Sequence, residues 1–253
     1  MPRTDLNRIA RVASASPGSI YASMLLAALA AELVPRLSGP VLDVGCGRQP
    51  YREILRSDQL ERGYVAVDWP GSVHDVRPAA FADAGCLPFQ TASFASVICT
   101  ELLEHVRDPG ATMLELARVL RHGGCLLVSV PFVSPLHELP HDYMRFTPAG
   151  LLQLLNQHGF RVETMHRRGG WGSVWLDLTI KRTARIVAAL ARRSGFSPRR
   201  SVRIARGLVS HPQRVFARIA LARGAASRVD DVGRGAEISL GYVALAIRDT
   251  TNG

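Results

Sequence analysis

The clearest chemical signal is a set of acids and glycines. In Val41-Leu42-Asp43-Val44-Gly45-Cys46-Gly47 an apolar, β-branched run ends in two glycines one residue apart. This reads as a buried parallel strand running into a tight turn. Gly45 and Gly47 lack Cβ atoms, so the backbone can turn sharply and a ligand can approach it closely. Tyr51-Arg52-Glu53-Ile54-Leu55 then has helix-forming character, completing a strand–turn–helix unit of the kind that cradles a nucleotide. A second expected strand, Tyr64-Val65-Ala66-Val67, ends in Asp68, 21 residues after Gly47. An acid at that tip is placed to accept both hydroxyls of a ribose. Further on, Pro131 to Thr147 places His137, Glu138, His141, Asp142, Tyr143 and Arg145 among Pro131, Pro135 and Pro140. Histidine is the side chain suited to proton transfer near neutral pH.

The dinucleotide fingerprint G-x-G-x-x-G requires a third small residue, and Pro50 stands there. With Asp43 two residues before Gly45, the stretch instead resembles the D-x-G-x-G motif of class I S-adenosylmethionine-dependent methyltransferases, whose second strand ends in an acid. Further motifs follow in register. Phe81 to Phe89 matches the D-A-x-x-L-P-F pattern of that family at Asp83, Ala84, Leu87, Pro88 and Phe89. Ser93 to Thr100 reads as the fourth strand, and Leu103-Glu104-His105-Val106 matches the family's L-E-H-V. Ala95 replaces the family's usual Asp. Pro109 to Leu120 has helical periodicity, with Arg121-His122-Gly123-Gly124 as a glycine C-cap. Cys125 to Val130 reads as the fifth strand. The resemblance runs from about residue 40 to 131 and extends to the branch related to the ubiquinone-pathway enzymes.

The resemblance implies S-adenosyl-L-methionine as cofactor, contacted by Asp43, Gly45, Cys46, Gly47, Asp68, Trp69, Asp83, Ala84 and Thr100. Asp83 would accept from the adenine amino group, and the Ala84 amide would face a ring nitrogen. It also implies an α/β, Rossmann-like seven-stranded sheet of order 3-2-1-4-5-7-6, the last strand antiparallel, with helices on both faces. The Pro131–Thr147 stretch resembles the P-L-H-E-x-P-H-D-Y-x-R-x-T segment of a bacterial subgroup. It leaves the carboxyl end of the fifth strand, which faces the ligand crevice in open α/β sheets. The expected general base is His141, oriented by Asp142 or Glu138, with His137 as the rival. The alternative is a lid that moves no proton. Thr100-Glu101-Leu102-Leu103 stands where amino-methylating enzymes carry D/N-P-P-Y/F, so oxygen is the expected acceptor atom, on a small molecule or a glycan- or lipid-linked intermediate. Carbon methylation and a non-catalytic, cofactor-binding accessory role are the competing readings.

These residues need elements to position them. The expected organisation is one methyltransferase domain over 1–253: a core at 38–168 and 236–248, an N-terminal amphipathic helix at 19–37 and a helical insertion at 171–235. Ile20 to Ala31 is too short to span a bilayer, and a signal peptide there would remove a helix that the core needs. Thr147-Pro148 opens a further helix as N-cap and first residue. Phe160 to Met165 and Ile238 to Ile247 read as the sixth and final strands. The insertion carries the charge anomaly. Residues 181–228 hold 13 basic and no acidic residues, whereas the remainder holds 18 basic and 21 acidic, so the whole net charge of +10 belongs there. Helices are expected at Val174 to Arg193 and Gln213 to Arg223, the latter beginning at Pro212. Basic amphipathic helices at 173–228 suit an anionic membrane surface; nucleic acid ranks lower for want of aromatic interleaving. Four cysteines without metal-ligand spacing (Cys46, Cys86, Cys99, Cys125) point to free thiols, no metal site and a cytoplasmic location, with peripheral membrane attachment through the basic helices.

Overall fold

A computed structural model of the chain describes residues 9–10, 12–13, 20–72, 77–222, 226–228 and 238–249. Five parallel strands form one half of the sheet: β1 (Val41–Val44), β2 (Tyr64–Asp68), β3 (Ala80–Phe81), β4 (Phe94–Thr100) and β5 (Leu120–Pro131). β6 (Phe160–Arg168), β7 (Ala226–Arg228) and β8 (Gly241–Arg248) complete the order β3-β2-β1-β4-β5-β8-β6-β7. β8 runs antiparallel to both β5 and β6. The expected order 3-2-1-4-5-7-6 is therefore present, and the three-residue β7 adds an edge strand to β6.

Every residue of β1 is buried, as a strand covered on both faces must be. Alternation divides its side chains between two cores. Val41 joins Ile98, Leu127 and Leu245 beneath α1 (Ile20–Leu33). Leu42 and Val44 join Val97, Leu126 and Val128 beneath α3 (Pro109–Val119) and α4 (Pro148–Gln157). Asp108 caps α3 by accepting from the Ala111 amide (2.9 Å), and Thr147 caps α4 by accepting from Gly150 (3.0 Å), with Pro148 at the first position.

Several elements differ from expectation for local reasons. The segment after the glycine turn is a 3₁₀ turn (Pro50–Glu53) followed by the short α2 (Ser57–Glu61), not one helix over 51–55. Gln49, at φ 55°, and Pro50 redirect the chain there. α1 stops at Leu33 ahead of Pro35, which has no amide to continue the α-helical hydrogen bonding, and a 3₁₀ turn runs from Val34 to Arg36. α1 is also buried nearly all round, Tyr21, Met24, Leu25, Leu26 and Leu29 included, rather than amphipathic, since it lies between the sheet and a later helix. Arg121 to Gly124 is not a C-cap but part of β5, where a register shift against β4 absorbs Gly123 (φ 71°). Among its described residues the insertion holds α5 (Trp171–Arg193), α6 (Pro198–Ala222) and the edge strand β7. Pro212 lies inside α6 instead of starting a helix. Its missing amide costs one helical hydrogen bond, but the helix is held on both sides of it by buried Ser201, Ala205, Gln213 and Ala217.

Candidate active site

The loops at the carboxyl edge of the parallel strands, together with α1, α5 and α6, enclose a cleft of about 1080 Å³. The glycine turn forms one wall. Gly45 sits at φ 68°, and a Cβ there would lie 2.9 Å from Leu102 Cδ1. Its amide and that of Cys46 donate to Val67 O (2.9 and 3.0 Å), pinning the turn to β2. Gly47 is also left-handed (φ 49°), but a Cβ on it would meet nothing within 4 Å. The space beside it belongs to the cleft. Asp68 braces this turn: Oδ2 accepts from Gly47 N (2.7 Å) and Oδ1 from Trp69 N (2.7 Å). Oδ2 also accepts from Cys46 Sγ (3.8 Å); a carboxylate oxygen carries two acceptor sites, so Oδ1 keeps capacity for a ligand.

Of the nine expected cofactor residues, eight line the cleft; Asp43 does not. It is 1% exposed, and its Oδ2 accepts from the Tyr64 hydroxyl at 2.6 Å. Burial pushes its carboxyl up to about 7. Asp43 thus supports the turn from beneath, joining β1 to β2. Asp83 is exposed at the cleft with Oδ1 accepting from Gly85 N (2.8 Å), while Ala84 beside it is buried. Thr100 is hydrogen-bonded to buried Tyr51, a cleft residue the sequence reading missed.

The segment beside the glycine turn, after β4, is polar. Glu101 follows β4 at φ 50°, a conformation that side chains adopt only when their surroundings enforce it. Here its amide donates to Ser129 O (3.0 Å), and its carboxylate accepts from the Ser129 hydroxyl (2.9 Å) and from Arg168 (3.0 Å). Arg168 was also missed: within Arg167-Arg168-Gly169-Gly170 it looks like a surface cation, yet it is 4% exposed. Glu104 is fully buried with neither carboxylate oxygen hydrogen-bonded, and burial holds its carboxyl well above the usual range. His105 Nε2 lies 3.6 Å from Glu104 and 3.9 Å from Glu138. Glu104, His105 and His137 place ligand atoms within 4.8 Å of one another, a grouping that could hold a cation and that sequence spacing hides because His137 comes from a different loop.

His137, Glu138 and His141 all line the cleft, but Asp142 does not. Asp142 serves His137 rather than His141. It accepts from the His137 amide at 3.0 Å and lies 3.4 Å from Nδ1. Arg145, at 2.5 and 2.8 Å, holds the Asp142 carboxyl down at about 2. Burial, then neighbouring His105, lower the proton affinity of His137. Glu138 lies toward His105 instead of orienting His141. The His141 ring instead packs edge-on against Trp69 (5.0 Å between centroids) and meets the Tyr143 hydroxyl at 2.9 Å.

Known proteins resemble this chain in the same region. A protein of Mycolicibacterium smegmatis named "Probable S-adenosylmethionine-dependent methyltransferase" is 30% identical over 149 residues, 52% of this chain and 56% of that protein. A ubiquinone biosynthesis O-methyltransferase of Xanthomonas oryzae pv. oryzae is 33% identical over 112 residues, 40% of this chain and 44% of its own. The matched stretch thus spans about half the length of these relatives. Among solved structures, the 4+2 cyclase SpnF superimposes with a TM-score of 0.53 at 17% identity, covering 96% of this chain and 92% of that one, a likeness of fold. The methyltransferase-domain family model matches residues 21–169, from α1 through the glycine turn and both histidine-bearing loops to the end of β6, and the chain belongs to that family.

Proposed function

We propose that the protein transfers a methyl group from S-adenosyl-L-methionine to an oxygen of a small-molecule, glycan- or lipid-linked acceptor. The observation that carries this reading is a single cleft lined by two chemically different sets of residues. Gly45, Gly47, Asp68, Trp69, Asp83 and Ala84 form the cofactor end, and His137, Glu138 and His141 form the other set, which meets the first where His141 packs on Trp69. The residues present fit the cofactor: open space replaces a side chain at Gly47, Asp68 would take the ribose hydroxyls, and Asp83 with the Ala84 amide would take the adenine. The bound cofactor supplies a methyl group already activated by a sulfonium, so positioning of the acceptor is the main task left to the protein.

For a hydroxyl acceptor a base must also receive the proton. His137 is the better supported candidate. Asp142, fixed by Arg145, lies against its Nδ1, and a lowered proton affinity keeps the ring neutral and receptive near pH 7. His141, held between Trp69 and Tyr143, is a positioning residue next to the cofactor end. The absence of an amino-methylating motif after β4 supports oxygen over nitrogen.

The test is calorimetric titration with S-adenosylmethionine and S-adenosylhomocysteine, followed by transfer of tritiated methyl groups to polar and lipid extracts. Micromolar binding, weakened at least tenfold by Asp68→Asn, and label in a base-stable ether are expected. Failure of the wild-type protein to bind either compound overturns the reading. Binding with no transfer to any fraction favours the accessory role.

A further inference from the structure

Only the inner side of the α5–α6 hairpin lines the cleft. That side is anchored: the Tyr21 hydroxyl donates to Ser173 Oγ (2.8 Å), and Gln213 Oε1 accepts from the Tyr21 amide (3.3 Å). The outer side is unlike the rest of the surface. Ten of the sixteen exposed large apolar side chains among the described residues lie between Trp171 and Ile219. On α5, Trp171, Trp175, Ile186 and Leu190 share one helical side with Arg182 and Arg193, all exposed. On α6, Leu208, Val215 and Ile219 recur at i, i+7 and i+11 beside Arg214 and Arg218. From Lys181 to Ala222 there are 11 basic and no acidic residues. A cavity of about 470 Å³ opens at the margin of this face, between α5 and Pro135, where Arg182, Arg185 and Lys181, the last paired with Asp177 at 2.7 Å, surround Leu178 and Ile186. That combination suits an anionic headgroup attached to an acyl chain.

We infer that the outer face of the α5–α6 hairpin docks on an anionic lipid bilayer, lying in the plane of its interface. Arginines meet the headgroups while the apolar stripe between them enters the acyl boundary, the arrangement of an interfacial helix. Among the described residues no helix is long and apolar enough to cross a membrane, so attachment is at the surface. Nucleic acid accounts for the cations but leaves the aliphatic stripe of α6 without bases to stack on. A second copy packed face to face would bring the exposed Arg182, Arg193, Arg214 and Arg218 of each copy against those of the other with no acid between them.

The test is co-sedimentation of the full chain with vesicles of phosphatidylcholine alone or mixed equally with phosphatidylglycerol, at 100 mM NaCl. Partitioning at least tenfold stronger to the anionic vesicles is expected, with a blue shift of tryptophan emission. Leu208→Glu with Ile219→Glu, and separately Arg214→Glu with Arg218→Glu, should each weaken partitioning at least tenfold. Leu114→Glu, exposed on α3, should not. Far-UV circular dichroism and melting confirm that each variant folds. Absence of binding to anionic vesicles overturns the inference. So does binding indifferent to the Leu208/Ile219 pair and abolished by polyuridylate, which assigns the face to nucleic acid. A dimer dissociated by that pair overturns it in favour of a second copy.

Discussion

Replacing Asp43 by Asn tests whether the acid of the glycine motif is held neutral beneath the turn. In the folded protein its carboxyl is pushed up to about 7, first by burial; in the unfolded chain an aspartate titrates near ~3.9. A folded value above the unfolded one means that the stability from neutral Asp43 is fully present below about pH 4 and is lost as pH rises through about 7. At about 1.4 kcal/mol for each tenfold change in proton affinity, the loss approaches about 4 kcal/mol by pH 8. Asn keeps a carbonyl oxygen for the Tyr64 hydroxyl and cannot ionise. Asp43→Asn should therefore be ahead of wild type by only about 1 kcal/mol at pH 4.5, and its advantage should grow as pH rises. For a chain of this size the gap at pH 8 corresponds to roughly 8–16 °C in melting temperature. Glu104 has the same sign and Asp142 the opposite, but both are common to the two proteins and cancel in the difference. The assay is urea unfolding from pH 4.5 to 8, followed by far-UV circular dichroism. Parallel stability curves across that range would refute the reasoning and return Asp43 to the ionised state.

Gly45→Ala and Gly47→Ala should separate stability from binding. Both impose a left-handed non-glycine residue, about 1–2 kcal/mol, but only the Gly45 Cβ collides with Leu102, so it should melt lower. Gly47→Ala, whose Cβ enters the cleft, should lose more S-adenosylhomocysteine affinity by calorimetry. The His137 ring proton should titrate below the ordinary histidine range in NMR spectra, and Asp142→Asn should lower it further, since the carboxylate favours the charged ring. Arg145→Ala should return Asp142 toward an ordinary carboxyl. The stability that wild type loses between about pH 4 and 2 through this residue should then be missing from the acid limb of urea midpoints.

The parallel half of the fold was legible because its signals are local. β1, the glycine turn and the acid at the tip of β2 lie within 28 residues, and buried parallel strands announce themselves as apolar runs. The strand order followed from the family resemblance. Harder to read were features fixed by distant partners. Asp142 was paired with His141, its sequence neighbour, because nothing in the sequence shows that the loop turns Asp142 back onto the His137 amide. Arg168 hid in a basic doublet, its carboxylate partner 67 residues away. Pro212 read as a helix start because local propensity penalises an internal proline, and only packing on α1 and α5 outweighs that. At the glycine motif, spacing identified Asp43 as an element of the turn but could not reveal that Tyr64 occupies it.

The place of β8 has a consequence for biosynthesis. It fills the gap between β5 and β6, yet β5 ends at Pro131 and β8 starts at Gly241. A ribosome adding about 5–20 residues per second needs roughly 5–20 s to cover that interval. Meanwhile β5 and β6 each present an unpaired, largely buried-to-be edge, the kind of surface on which nascent chains pair wrongly with one another. The protein should therefore depend on holdase chaperones during translation more than a fold of equal size whose strands pair in order. Slowing elongation after the codon for Arg168 should lower soluble yield, while slowing it before the codon for Val41 should not.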